Sequence, residues 1–199
     1  MDAPSITLVG PLAVARGGRV LAATEVGSRK GRCLLAVLAA ARGTVVPLDR
    51  IVAAVWPAKP PQRPGENVAT LVSRIRSHLG PDVIRGGRGG YRLGDDVVVD
   101  VRDARRLLTT AEDRLAAEPA LALAAAQRAA AVLGAAPVLA DEPDADWVRT
   151  AREEQAETLR RRGGRSRWPR CGSGSRRWPA TRRRRRSATI RSMRTRAAR

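Results

Sequence analysis

The sequence predicts an α+β domain over residues 1–94, a purely α-helical part over residues 95–163 and a disordered basic tail over residues 164–199. Two observations predict this organisation. Short β-prone runs flank three apolar helical stripes in the first part, whereas the second part holds helical stripes alone. The charge also changes along the chain: basic and acidic residues number 14 and 5 in residues 1–94, 8 and 14 in residues 95–160, and 16 and 0 in residues 161–199.

A small antiparallel sheet is expected near the N-terminus. Residues 6–9, 12–15 and 20–21 are short β-prone runs, and Arg16-Gly17-Gly18 has the composition of a hairpin turn. A further brief strand is expected at residues 44–46.

Three helices are expected next. Ser28 stands at the N-cap position of the first, RKGRCLLAVLAAAR, which Gly43 ends. The second helix covers about residues 48–56, and Pro57 ends it. The third covers about residues 66–79. Helical spacing gives the first helix a buried face of Cys33, Leu34, Val37 and Leu38. In the third it buries Val68, Leu71, Val72, Ile75 and Leu79, with Asn67, Thr70, Ser73, Arg74 and Ser77 facing outward.

A glycine-tipped hairpin closes the first part, with arms at residues 83–85 and 91–93 around GGRGG. Sheet, three helices and hairpin, in this order, predict a winged helix. In that fold the polar face of one helix enters the major groove of duplex DNA, and an arginine of the hairpin contacts the backbone or the adjacent minor groove. An outward polar face by itself is usually only solvated; the attached hairpin favours DNA binding.

Three stretches carry a family resemblance: GSRKGRCLLAVLAAARGTVVPLDRIVAAVWP, ENVATLVSRIRSHLG and GGYRL. Together they resemble the OmpR/PhoB-type winged helix of SARP-type (AfsR/DnrI/RedD-like) antibiotic regulators, over roughly residues 5–160. The resemblance implies that the helix at 66–79 is the recognition helix and that residues 85–92 form the wing. It places Asn67, Thr70, Ser73 and Arg74 near bases, and Arg76, Arg88 and Arg92 on phosphates.

The two cations that open the first helix are further candidates. Arg29 and Lys30 lie at the positive end of a helix dipole, an unfavourable place for cations, so a nearby phosphate is one interpretation and a plain solvated pair is the other. For Arg76 and Arg92, the alternative to a phosphate contact is that each is a surface arginine without a specific role.

The second part contains three amphipathic helices, beginning near Val101, within EPALALAAAQRAAAVLG and at about residues 144–162. Successive helical hairpins favour a partial, tetratricopeptide-like array. This region resembles the bacterial transcriptional activation domain, including DEPDADWVRTAREEQAETLRRR. The resemblance implies a surface for RNA polymerase or for a second copy of the protein, and the alternative is a structural appendage.

The tail has no apolar periodicity and holds five consecutive arginines at 182–186, so it is expected to bind polyanions through counterion release. It is either a basic arm for DNA or a frameshifted translation of a GC-rich gene. In the second case, shifting the codons by one base, with G or C at each wobble position, can turn residues 177–182 (Arg-Trp-Pro-Ala-Thr-Arg) into Leu-Ala-Gly-Asp-Pro, which resembles part of further helical repeats.

Several function classes are disfavoured. The only histidine, His78, lies in the last turn of a helix, two cysteines (Cys33 and Cys171) are too few for a metal site or disulfide framework, and no phosphate loop occurs. We therefore expect no enzyme activity, cofactor or metal. No apolar run approaches the length of a membrane span, which favours a bacterial cytoplasmic protein, associated with the nucleoid when bound.

The predicted fold and the resemblance together predict a regulator of transcription that binds duplex promoter DNA. The resemblance implies that it activates a specialised-metabolite (antibiotic) gene cluster, and that RNA polymerase and a second copy, bound in tandem on direct repeats, are its protein partners. Two alternatives remain: an unspecific RNA- or polyanion-binding protein that acts through its tail, and a nonfunctional truncated regulator.

Overall fold

A computed structural model describes residues 3–163 of the chain. Both interpretations of the tail at 164–199 fall outside the described residues. The N-terminal sheet has the strand order β3-β2-β1-β6, in which β1 (Ser5–Thr7), β2 (Ala13–Arg16) and β3 (Arg19–Val20) are antiparallel, as expected. Gly17 and Gly18 take φ of 59° and 75°, as a tight two-residue hairpin turn requires. The fourth strand, β6 (Val98–Val99), pairs parallel to β1 and was not predicted, because two residues carry no pattern.

The expected helices are present, with one addition. A single turn, α1 (Ala23–Val26), precedes α2 (Arg29–Ala40), α3 (Leu48–Val55) and α4 (Pro64–Leu79). Ser28 caps α2 as expected, since its Oγ accepts a hydrogen bond from the Gly31 N–H at 3.2 Å. Helix α4 begins two residues before the expected start, because proline is favourable at the first helical position. Cys33, expected in the buried face of α2, is only half-buried.

The C-terminal hairpin consists of β4 (Ile84–Gly87) and β5 (Gly90–Leu93), with Arg88 and Gly89 as its turn. In place of the strand expected at 44–46, only Val46 bridges to Tyr91, through two hydrogen bonds of 2.8 and 3.0 Å between backbone N–H and carbonyl groups. The expected strand was wrong in length, because pairing stops after one residue.

The helical part comprises α5 (Asp100–Arg114), α6 (Pro119–Leu133) and α7 (Asp146–Gly163). Small side chains bring α5 and α6 close together, in a separate apolar cluster of Ala111, Ala122 and Ala126. The loop before α7 pairs with the end of the first sheet: Leu139 N–H donates to the Leu8 carbonyl at 2.7 Å and Gly10 N–H donates to the Pro137 carbonyl at 2.9 Å. These bonds hold the helical part against the N-terminal sheet.

The main hydrophobic core continues across residue 94. It contains residues of the sheet and of α2 to α4 together with Val101, Leu133 and Val148 of the helical part. The carboxylate of Asp100 reinforces this junction by accepting hydrogen bonds from the N–H groups of Leu8 at 2.9 Å and Val9 at 3.0 Å. The division into domains at residue 94 and the tetratricopeptide-like character of α5 to α7 both stay predictions.

Candidate nucleic-acid interface

Helix α4 has one buried and one uncovered face. Val68, Leu71, Val72, Ile75 and Leu79 are all at most 8% exposed, as their spacing predicts. The opposite side, here called the outer face, is exposed to solvent. It consists of Glu66, Asn67, Ala69, Thr70, Ser73, Arg74 and Ser77. The expected orientation of the third helix is therefore confirmed.

The small polar groups of the outer face are oriented by the helix itself. Asn67 Nδ2 donates to the Arg63 carbonyl at 2.9 Å, Thr70 Oγ1 to the Glu66 carbonyl at 2.9 Å, and Ser77 Oγ to the Ser73 carbonyl at 3.0 Å. These bonds use the hydroxyl donors and one of the two Asn67 N–H donors, and they leave the second Asn67 N–H as a donor and Asn67 Oδ1 and the hydroxyl lone pairs as acceptors.

Arg74 is the cation of the outer face. It makes no hydrogen bond or ion pair with any residue in the described range 3–163, so all five of its N–H donors face solvent. A planar guanidinium with free donors is suited to bidentate contacts with a guanine edge or a phosphate.

The turn of the C-terminal hairpin presents a second cation of this kind. Arg88 is exposed and has no ion pair within the part of the chain that the structure describes. At the base of the hairpin, Arg85 and Arg92 instead share the carboxylate of Asp95, at 2.8 and 2.5 Å. The hydrogen bond from Arg92 lowers the pKa of Asp95 and raises the pKa of Arg92. Arg92 is thus ion-paired, whereas Arg88 has no such partner among the described residues.

Arg76 connects the helix to the hairpin. Its side chain is half-buried, and Nε and one terminal nitrogen donate to the Ile84 carbonyl at 3.0 and 2.8 Å. This fork joins the last turns of α4 to the first residue of β4. Sequence reasoning placed Arg76 on phosphates, and no pattern in the sequence distinguishes a surface arginine from one that contacts a carbonyl eight residues away.

The start of α2 lies beside α4, because the missing side chain of Gly31 lets Ile75 approach to 3.9 Å from its Cβ position. Arg29 and Lys30, at this end of α2, are both exposed. Lys30 Nζ lies 5.1 Å from the ring centroid of Trp56, a cation–π contact with the end of α3. Sequence reasoning did not select Trp56, although VWP at a helix end marks it.

The structure also bears on catalysis and metals. Within residues 3–163, no group of three or more His, Cys, Asp or Glu is placed to hold a metal ion. Burial raises the pKa of the Cys33 thiol to about 11, and its Sγ donates weakly to the Ala54 carbonyl at 3.7 Å. None of the helices described is long and apolar enough to cross a membrane.

The overall fold matches that of a solved structure. In the structure titled "Mycobacterium tuberculosis EmbR in complex with low affinity phosphopeptide", the matching part covers 82% of this chain and 44% of that chain, with a TM-score of 0.63 and 24% identity. At this identity the likeness is one of fold alone. No family model matches the chain.

The chain is similar in sequence to known regulatory proteins. Regulatory protein AfsR of Streptomyces griseus is 34% identical over 127 residues, and AfsR of Streptomyces coelicolor is 32% identical over 107 residues. Regulatory protein DnrI of Streptomyces peucetius is 32% identical over 102 residues. The chain is a relative of the SARP-type transcriptional regulators, as its motifs indicate. Each of these relatives is named a regulatory protein.

The matched regions are parts of longer proteins. They cover 64%, 53% and 46% of this chain but 12%, 10% and 36% of the three relatives, in the same order. The activities and partners of the complete relatives can therefore only be proposed for this chain.

Proposed function

We propose that the protein binds specific sequences in duplex promoter DNA, with α4 in the major groove and the β4–β5 hairpin as a wing on the backbone or in the minor groove. The observation that carries this proposal is the uncovered outer face of α4, beside a hairpin whose tip holds the unpaired Arg88. Asn67, Thr70, Ser73 and Arg74 contact base edges. Arg88, with Arg29 and Lys30, contacts phosphates.

Two candidate residues have a different weight in this arrangement. Arg76 and Arg92 already bond to the Ile84 carbonyl and to Asp95. Each arginine keeps some N–H donors that these contacts do not use, and those donors bind phosphate. The larger effect of Arg76 and Arg92 is to fix the position of the wing relative to α4. Both remain proposed members of the interface.

The similarity to AfsR and DnrI extends the proposal from DNA binding to regulation. The protein acts as an activator of a specialised-metabolite gene cluster, in the cytoplasm and at the nucleoid. The helical part, α5 to α7, is a partial activation domain that contacts RNA polymerase or a second copy bound in tandem on direct repeats.

Selection of bound duplexes from a random-sequence pool tests the central claim. The full chain is expected to enrich one motif, as a single site or as direct repeats. Its affinity for that motif is expected to exceed that for a shuffled duplex of equal length by about a thousandfold or more at physiological salt.

The same experiment separates the main alternative. A protein that binds polyanions through its 16 arginines at 161–199 would enrich no motif and would hold motif and shuffled duplexes equally. Equal affinities for the motif and the shuffled duplex would exclude a sequence-specific regulator. If the protein binds a motif but does not activate a reporter gene linked to it, the DNA-binding proposal stands and the activator role is excluded.

A further inference from the structure

An open groove of about 480 Å³ lies between the turn after α2 and one side of α5. Four arginines and two threonines line it: Arg42, Arg102, Arg105, Arg106, Thr109 and Thr110. It is separate from the outer face of α4 and from the wing. We call it the arginine pocket. It adjoins a second groove that shares Arg42, Arg105 and Thr109 and is also lined by glutamates of α5 and α7, among them Glu112, Glu153 and Glu154.

The positive charge of the arginine pocket is only partly balanced. Arg42 and Arg105 share one carboxylate, that of Glu154 on α7. Arg106 has only Asp103, at 3.9 Å, and is 71% exposed. Arg102 has no ion pair among the described residues; one of its terminal nitrogens donates to the Val97 carbonyl. Four guanidinium groups thus have two carboxylates in ion-pair contact, those of Asp103 and Glu154, and a third, Asp95, is close enough to Arg102 for the charge of Arg102 to help lower its pKa.

One donor in this cluster is both buried and unused. Arg102 Nε has no hydrogen-bond partner in the described part of the chain. A buried donor without a partner lowers stability, and like charges at close range lower it further. An oxyanion in the groove relieves the repulsion among these charges. The exposed hydroxyl of Thr110 offers one more donor at the rim.

We propose that the arginine pocket binds the phosphoryl group of a small phosphorylated ligand. Phosphate oxygens match the planar donor pairs of arginine, as carboxylate oxygens do, and a phosphoryl group carries more negative charge than a carboxylate. The volume suits a small molecule.

The position of the pocket gives such a ligand a regulatory effect. Arg42 follows α2 in the predicted DNA-binding part, whereas the other pocket arginines lie on α5 in the helical part. A ligand held by both stabilises their junction, because it binds the folded chain and not the unfolded chain. This inference is independent of the proposed DNA contacts.

Inorganic pyrophosphate is the probe for the test, used with the full chain in calorimetric titration and thermal unfolding. We expect saturable binding and a rise in the unfolding temperature. R106Q is expected to weaken binding about fivefold through loss of one charge-assisted contact, and R102Q more strongly. R106Q is less disruptive to the fold than R102Q, because the only ion pair of Arg106 among the described residues is the 3.9 Å contact with Asp103.

The control is R128Q. Arg128 is an exposed arginine on α6 without an ion pair in the described residues, so this variant removes the same charge away from the pocket. Unchanged binding by R128Q with weakened binding by R106Q supports the proposal. Equal effects of the two variants, or no effect of either, would place pyrophosphate elsewhere on this basic chain and overturn it.

A duplex of random sequence gives the second arm. If the pocket instead holds a DNA phosphate, R106Q lowers duplex affinity and reduces the slope of log K against log salt by about 0.9, while pyrophosphate gives no saturable binding. That outcome would also overturn the small-ligand proposal. Unchanged duplex binding by R106Q, with weakened pyrophosphate binding, is the expected result.

Discussion

At the scale of single residues, the outer face of α4 offers acceptors and one free guanidinium in a fixed order. Asn67 and Arg74 lie seven residues apart, about two helical turns, and so point in the same direction. The helix supplies the hydrogen bonds that orient Asn67 and Thr70 before any ligand arrives. Readout of base edges then requires little further ordering of these side chains.

N67A and R74A are expected to reduce discrimination between the selected motif and a single-base variant by about 1–3 kcal/mol each, because a good bidentate base contact is worth this much. Competition binding with matched duplexes measures it. S77A is the control: Ser77 belongs to the same face but was not assigned a base. If N67A and R74A discriminate as well as S77A, the outer face does not read bases.

R88Q is expected to weaken binding to every duplex alike and to reduce the salt slope by about 0.9, since Arg88 would release one counterion from a phosphate. Titrations of the selected motif and a shuffled duplex at several salt concentrations measure both effects. R85Q is the matched control at the hairpin base, where Asp95 already pairs the arginine. A loss confined to the selected motif would make Arg88 a base contact instead.

Cys33 is expected to be a poor nucleophile. Burial raises its pKa to about 11, so the thiol stays protonated at pH 8 and alkylates far more slowly in the folded protein than in urea. Because the folded pKa exceeds the unfolded value of about 8.5, this group stabilises the fold below pH 8.5, and that contribution is lost as pH rises towards 11. A C171S variant leaves Cys33 as the sole thiol, both for the alkylation rate and for the dependence of the unfolding free energy on pH. Equal alkylation rates in the folded protein and in urea would contradict the burial of Cys33.

At the scale of elements, the shape of the wing depends on two glycines. Gly86 and Gly90 have φ of 122° and 140°, which side chains rarely adopt. A Cβ at Gly86 would meet the Gly90 carbonyl oxygen, and one at Gly90 would meet the Val46 carbonyl oxygen. The glycines therefore let the hairpin close on itself and lie against the segment that follows α2.

G90A is expected to destabilise the protein by more than about 2 kcal/mol, through a strained φ and a clash with rigid backbone. Urea unfolding measures the change. G87A, in the same hairpin, has an ordinary φ and open space around the new Cβ, so it should alter stability by less than about 0.5 kcal/mol. Equal stabilities of the two variants would mean that the hairpin does not pack on Val46.

At the scale of the whole molecule, a buried amide secures the loop that pairs with the first sheet. Gln155 on α7 is 7% exposed, its Oε1 accepts from Val138 N–H at 2.8 Å, and its Nε2 donates to the Leu133 and Ala136 carbonyls at 2.6 and 2.7 Å. Nearby, Arg152 donates to the Val138 and Leu139 carbonyls at 3.1 and 2.8 Å. Helix α7 thereby orders residues 133–139.

Q155L is expected to lower the free energy of unfolding by about 2–5 kcal/mol, because it leaves a buried N–H and two carbonyls without partners. Q127L, at an exposed position of α6, is the control for this change.

The core is shared across residue 94, so unfolding should remain one cooperative transition in circular dichroism and Trp fluorescence. Two separate transitions would show that residues before and after 94 unfold independently.

The sequence by itself determined the features that depend on neighbouring residues. The apolar stripe of α4, the Ser28 cap, the glycine turn at 17–18 and the hairpin around Arg88 were all predictable, because each reflects a repeat or a turn residue within a few positions. The motifs within these elements also indicated the family.

Only the tertiary structure decided which arginines are free. Arg74 and Arg76 are two residues apart on α4, yet one faces solvent and the other holds the Ile84 carbonyl. Arg42 meets Glu154 across 112 residues, and Asp100 meets Leu8 across 92. Such pairings depend on how the chain packs over long distances, and no local pattern encodes them. The arginine pocket and the Gln155 contacts were for this reason invisible before the fold was known.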